Sequence, residues 1–228
     1  MELIVLVAGV FLISMLPGIG AYFSLFYTML HESCHALVAR LSGGRVKRVH
    51  LYHTTAGMAE TTHRSRTGAV LTTMAGYPLA SLIVTAAIYA YVQGFVAEIL
   101  WVLAAMILYQ LIFWVRNRVG FLWSASVLAG LFALYQWGET EYFDWAVRVV
   151  LIVLWSQAFF STLTVFRVAL LDKTQAGDAA ILARQTRIPT IIWGVFFAVQ
   201  GMVFFIAGLF LWLGEEVPFD IVFSFVRM

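Results

Sequence analysis

Long apolar segments separated by short polar segments make up most of this 228-residue chain. A transmembrane helix needs about 20 predominantly apolar residues, and six segments approach or exceed that length. They are residues 21–41, 68–92, 96–115, 120–137, 145–170 and 188–213. A further segment, residues 3–16, is short for a span and crosses a bilayer only if the flanking regions adapt to it. The pattern predicts six or seven transmembrane helices.

The composition agrees with this pattern, because 62% of the residues are hydrophobic and 11% are charged. A soluble domain of this size does not need so much apolar surface. We therefore expect an all-α polytopic membrane protein, with residues 1–228 forming one integral membrane domain in contact with the lipid bilayer. The net charge of +2 is too small to indicate a nucleic-acid partner.

One polar segment, residues 45–64, interrupts the helical pattern in the first half of the chain. Alternation between residues 45 and 53 predicts a β-strand. Residues 54–57 have a composition suited to a turn, and residues 58–62 can return as a second strand. The sequence thus predicts a small β-hairpin near residues 45–63, next to the helix of residues 21–41.

The basic residues are distributed unevenly between the two sides of the predicted bundle. Up-and-down threading places twelve of the fourteen Lys and Arg residues on one side. Because basic loops face the cytosol, we expect this side to be cytosolic. The twelve are Arg40, Arg45, Lys47, Arg48, Arg64, Arg66, Arg116, Arg118, Arg167, Lys173, Arg184 and Arg187.

Candidate chemistry lies in the helix of residues 21–41, which contains the sequence His-Glu-Ser-Cys-His at residues 31–35. Residues four apart on a helix are separated by about 40° around the axis, so His31 and His35 can bind one metal ion. Glu32 lies close enough to reach a metal-activated water without binding the ion. Zinc hydrolases use this arrangement. Ionisable groups at membrane depth are costly unless they line a polar site, which argues against purely structural histidines.

A third metal ligand is required, since catalytic zinc commonly has three protein ligands and one position for water. The later apolar segments contain no histidine. The acids on the basic side are Asp172, Asp178 and, in the hairpin, Glu60. Asp178 begins a helix-like segment, in which its alternative role is that of an N-cap, whereas Asp172 lies beside Lys173 and is more simply a solvated ion pair. The residue pattern leaves all three carboxylates open.

Several segments of the chain together resemble a known family. Residues 28–37, followed by Gly43-Gly44-Arg45-Val46, resemble the bacterial site-2-protease-like intramembrane zinc metallopeptidases, and within them the small branch without PDZ or CBS domains. The resemblance covers about residues 20–200 and lacks the Asn-Pro-Asp-Gly segment of the better-studied site-2 proteases. The later segments that agree are Ala75-Gly76-Tyr77, Arg116-Asn117, and Asp178-Ala179 through Ile188-Pro189 to Trp193.

This resemblance implies a specific site and reaction. It implies Zn²⁺ bound by His31, His35 and Asp178, with Glu32 as the general base that hydrolyses peptide bonds of membrane-embedded or membrane-proximal protein substrates. It also implies a bacterial inner (cytoplasmic) membrane location with the site toward the cytosol. The edge of the 45–63 hairpin is expected to hold an unwound substrate by strand addition.

Two questions remain open at the level of sequence. A membrane metal-binding or transport protein can use the same ligands without hydrolysis, but it needs polar groups along a path through the later spans, which are poor in them. Asn117, the chain's only asparagine, can either orient a substrate carbonyl or hold a loop.

Overall fold

A computed structural model describes residues 18–214, together with Gly9 and Leu16. The expected segment at residues 3–16 therefore lies outside the described residues, apart from these two positions. Seven helices and two strands follow one another in residues 18–214. They are α1 (Ile19–Leu41), β1 (Arg45–Leu51), β2 (Gly57–Thr62), α2 (Arg66–Val92), α3 (Val96–Phe113), α4 (Arg118–Trp137), α5 (Thr140–Leu171), α6 (Gly177–Thr186) and α7 (Thr190–Leu213).

The predicted helical membrane architecture with a small hairpin is confirmed. Helices α2, α3, α4, α5 and α7 are long and apolar enough to cross a membrane. Helix α1 has 23 residues and is about 34 Å long at 1.5 Å per residue, but its polar side chains make it less apolar than these five. It packs against α2, α5 and both strands, and its residues Met29, Cys34 and Ala36 are buried in the main apolar core.

Helix α5 begins at Thr140, earlier than the start at residue 145 that the apolar pattern predicts. The additional turn contains acidic residues, and one of them has partners. Asp144 accepts hydrogen bonds from Tyr91 Oη at 2.7 Å and from Arg148 Nη2 at 2.9 Å. Because these partners offset the cost of the carboxylate near an apolar segment, the helix extends further than hydropathy alone indicates.

Strands β1 and β2 form an antiparallel pair in which Val49 lies opposite Ala59. The turn between them is fixed to α1, because Thr28 Oγ1 donates a hydrogen bond of 2.7 Å to the carbonyl oxygen of Thr55. Thr55 adopts a positive φ of 67° at this turn. The hairpin thus lies directly against the helix that carries the two histidines.

The outer edge of β1 is covered by the connection between α3 and α4. The Val49 N–H donates to the Trp114 carbonyl at 2.7 Å, and the Arg116 N–H donates to the Val49 carbonyl at 3.2 Å. The Asn117 side chain accepts from the Leu51 N–H at 3.2 Å and donates to the Leu51 carbonyl at 2.5 Å. Of the two interpretations of Asn117, the structure shows the loop-holding one.

These contacts also bring the basic loops together at one end of the bundle. The α3–α4 connection lies beside the hairpin, and Arg66 Nε, at the start of α2, donates to the Gln185 carbonyl of α6 at 2.8 Å. The hairpin, the α3–α4 connection and α6 are therefore neighbours. This arrangement agrees with the threading inferred from the basic residues.

Candidate metal centre

Three side chains from α1 and α6 converge on one point. The Nε2 atoms of His31 and His35 are 3.0 Å apart. Asp178 Oδ2 lies 3.3 Å from His31 Nε2 and 3.2 Å from His35 Nε2. The exposed fractions of the three side chains are 12%, 10% and 14%. Within residues 18–214, this is the only group of three or more metal-ligating side chains close enough to bind one ion.

The donor set fits a tetrahedral metal ion. Bonds of about 2.0–2.2 Å to nitrogen and oxygen give ligand–ligand distances of roughly 3.3–3.6 Å, and the observed distances are at or slightly below that range. His35 Nδ1 lies 2.7 Å from the Thr72 carbonyl, so Nδ1 carries the proton and Nε2 presents a lone pair. Asp178 Oδ2 is buried and accepts no hydrogen bond of normal geometry from the described residues. A cation at this point would satisfy these donors.

The packing of α6 positions Asp178. This residue is the second of the helix, whose N-cap is Ala176, and the N-cap makes no side-chain capping bond. Asp178 therefore lies inside the helix, and the capping role considered from the sequence does not apply. The buried residues Ala179, Ala180 and Leu182 pack near Val70, Met74 and Tyr77 of α2.

The other two candidate carboxylates have other partners. Asp172 Oδ1 accepts hydrogen bonds from Thr174 Oγ1 at 2.6 Å and from the Thr174 N–H at 2.9 Å, and these bonds hold the pKa of Asp172 below its usual value. Glu60 binds Arg48 Nε at 2.5 Å and Lys47 Nζ at 3.1 Å, and these two cations lower the pKa of Glu60. Neither carboxylate joins the histidine pair.

Glu32 lies between α1 and the hairpin. Its exposed fraction is 6%, and the backbone amide of Ala59 interacts with its carboxylate. A Cβ added to Gly57 would lie 2.5 Å from Glu32 Oε1 and 2.7 Å from Thr28 Cγ2, so β2 approaches α1 closely only because residue 57 is glycine. Glu32 is thus held in place from both sides.

A cavity of about 720 Å³ connects these parts. His31, His35, Asp178 and Glu32 line it together with residues 55–61, which include most of β2. The three candidate metal ligands, the Glu32 carboxylate and one strand therefore face a common space. Such a space is large enough for a short stretch of extended polypeptide.

Sequence reasoning from residue types did not find the role of Gly76. This residue of α2 faces the two imidazoles, and an added Cβ would lie 2.6 Å from His35 Nε2 and would overlap the His31 ring. The centroid of the adjacent Tyr77 ring lies 4.4 Å from the centroid of the His31 ring. The sequence indicates Gly76 only as part of a helix interruption and of the segment Ala75-Gly76-Tyr77 in the family resemblance, because contacts between helices leave no periodic signal in one sequence.

Replacing Gly76 with Ala should therefore weaken metal binding. The new methyl group displaces the imidazoles, and we expect a loss of affinity on the order of tenfold or more, comparable to the loss of an outer-shell partner. Metal content after dialysis, measured by mass spectrometry, tests this expectation. Gly130→Ala is the matched control, because a Cβ there meets no atom within 4 Å. Full metal retention in Gly76→Ala would contradict the proposed packing role.

Comparison with known proteins places the chain in a family. The model of the Peptidase M50B-like family matches residues 3–208, a range that contains both strands and every residue of the candidate centre. Searches of curated proteins and of solved structures returned no match. The match agrees with the site-2-protease resemblance seen in the sequence. The chain belongs to the Peptidase M50B-like family and thus to the metal-dependent membrane peptidases.

Proposed function

We propose that this protein is an intramembrane zinc metalloprotease that cleaves membrane-embedded or membrane-proximal protein substrates. The observation that carries the proposal is the convergence of His31, His35 and Asp178 on one wall of the cavity that Glu32 also lines. These three side chains would bind the ion. The family match supports peptidase chemistry.

The residues of the chain divide the reaction between them. When bound, zinc supplies a Lewis acid that lowers the pKa of water and polarises a peptide carbonyl. Glu32 accepts a proton from the water while the water oxygen attacks the carbonyl carbon. Glu32 then delivers that proton to the leaving nitrogen as the C–N bond breaks. The hydrogen bond from His35 Nδ1 to Thr72 keeps the opposite ring nitrogen free for the ion.

The two edges of the hairpin differ in whether a substrate strand can pair with them. Residues 114–117 cover the outer edge of β1, whereas β2, within the described residues, pairs with β1 alone. A substrate helix must unwind before attack, because its carbonyls are already hydrogen-bonded. The unwound segment would then add to β2 as a further strand, beside the candidate centre. The basic end of the bundle would face the cytosol of a bacterial inner membrane.

The zinc ligands are tested by the metal content of three purified variants. Wild-type protein should contain about one zinc per chain, and His31→Ala and Asp178→Asn should lose it. Asp172→Asn is the control for Asp178→Asn, because the same change is made at a carboxylate outside the centre. Zinc lost in Asp172→Asn but kept in Asp178→Asn would assign the third ligand to Asp172. No zinc in any folded preparation would overturn the zinc assignment.

Glu32→Gln separates proteolysis from metal binding or transport. The amide has nearly the same size but cannot accept the proton, so cleavage of transmembrane peptides in proteoliposomes should fall by about 10²-fold or more. Zinc content should stay unchanged, because Glu32 is not a ligand. Cleavage is measured by mass spectrometry of the products. A variant that still cleaves would rule out this mechanism, and metal flux that needs no Glu32 would favour transport.

Strand addition is tested by disulfide cross-linking to β2. Thr61 and Thr62 are consecutive residues of β2, so Thr61→Cys and its control Thr62→Cys place a thiol on opposite faces of one strand. In the Glu32→Gln background, Thr61→Cys should cross-link single-cysteine transmembrane peptides at alternate positions, and Thr62→Cys should cross-link the positions in between. The native Cys34 is 1% exposed and does not compete. Equal cross-linking at every peptide position would argue against a paired strand.

A further inference from the structure

The polar face of α1 continues beyond the candidate metal centre. Ser24, Tyr27 and Thr28 precede His31 by seven, four and three positions, a spacing that keeps all four side chains on one helix face. All four line the cavity. Because each residue advances a helix by 1.5 Å, Ser24 lies about 10 Å from His31 along the axis. The cavity thus has a second polar end toward the start of α1.

Helix α5 supplies the groups that face this polar end. Gln157 and Ser161, one turn apart, also line the cavity, and Gln157 Nε2 donates a hydrogen bond of 2.7 Å to Ser24 Oγ. Helix α5 is long and apolar enough to cross a membrane. Polar side chains within such a span are expensive and usually functional. No periodic pattern in the sequence indicates that these two faces meet.

The buried Tyr27 hydroxyl also indicates that a ligand binds at this polar end of the cavity. Tyr27 is 5% exposed, and its hydroxyl faces Ser161 without making a hydrogen bond of normal geometry with any described residue. Buried polar groups in folded proteins are nearly always hydrogen-bonded. The Gln157 carboxamide offers both a donor and an acceptor to the same space. A molecule that enters the cavity would find hydrogen-bonding groups with unused capacity.

We propose that Gln157, Ser24 and Tyr27 form a substrate subsite for a hydrogen-bonding side chain, such as that of asparagine. The subsite rests on the proposed protease function. An extended chain advances about 3.3 Å per residue, so the distance of about 10 Å from His31 to Ser24 corresponds to roughly three residues. The recognised side chain therefore lies about three residues from the scissile bond, on the side toward the start of α1.

The physical basis is the shortage of hydrogen-bond partners inside an apolar bundle. A carboxamide or hydroxyl of a substrate has few partners in lipid, and the subsite provides them within the cavity. A leucine at the same substrate position would instead leave Tyr27 and Gln157 without a new partner. The subsite thus favours the polar substrate by satisfying groups on both sides.

Binding to the inactive enzyme tests the subsite directly. Two fluorescent transmembrane peptides of leucine and alanine with lysine ends are compared, one with asparagine and one with leucine at the same central position. Their affinities for the Glu32→Gln protein in lipid nanodiscs are measured by anisotropy. We expect the asparagine peptide to bind about tenfold more tightly, and Gln157→Leu in the same background to reduce this ratio to about twofold or less.

The matched control is Gln200→Leu in the Glu32→Gln background. Gln200 is a half-buried glutamine of α7 that donates to the Phe197 carbonyl and does not line the cavity. The ratio should remain about tenfold in this variant. Asparagine also changes how the peptide partitions into lipid, so the decisive quantity is the change of the ratio between variants. Equal affinities in the Glu32→Gln protein, or a ratio that survives Gln157→Leu, would overturn the proposal.

Cleavage with Glu32 present separates the subsite from the protease function. We expect cuts about three residues from the asparagine, moving with it when it is shifted along the peptide. If no peptide is cleaved but the binding ratio still depends on Gln157, the protease function fails and the subsite is supported. If peptides are cleaved at positions that ignore the asparagine, the subsite fails and the protease function is supported.

Discussion

The structure depends on placing two imidazoles and a carboxylate within 3.3 Å of one another inside an apolar helical bundle. Such groups are costly at membrane depth unless they satisfy one another or bind an ion. Their surroundings are consistent with this requirement. Gly76 gives the imidazoles room, the Thr72 carbonyl orients His35, and the alanine-rich packing of α6 holds Asp178 in place.

The hairpin gives this centre a polar neighbour that helices alone would not provide. Backbone groups of a helix are satisfied internally, whereas a strand edge has groups free to pair. Thr28 fixes the turn of the hairpin to α1, and Gly57 allows β2 to approach Glu32. Strand β2 and the candidate catalytic groups therefore line one cavity, since α1 contacts the hairpin and carries Glu32.

The parts of the site that sequence could predict are those set by local periodicity. Helical spacing fixes the relation of His31, Glu32 and His35, and strand alternation predicted the hairpin. The residue pattern predicts Asp178 only as one candidate beside Asp172 and Glu60, and the family resemblance assigns it the ligand role. Its distance to α1 depends on how α6 packs on α2, which no local pattern encodes. The same is true of Gln157. A single sequence does not show which side chains lie next to the serines and glutamines that are scattered along its apolar helices.

The asymmetry of the two hairpin edges has a consequence for self-association. Because residues 114–117 cover β1, another chain that pairs with this sheet must use the edge of β2. That edge lines the cavity. Two copies joined through their hairpins would thus close each other's cavities, so assembly through this sheet and access of a third chain are mutually exclusive. Exposed strand edges commonly promote aggregation, but here such pairing would compete with a substrate for the proposed binding site.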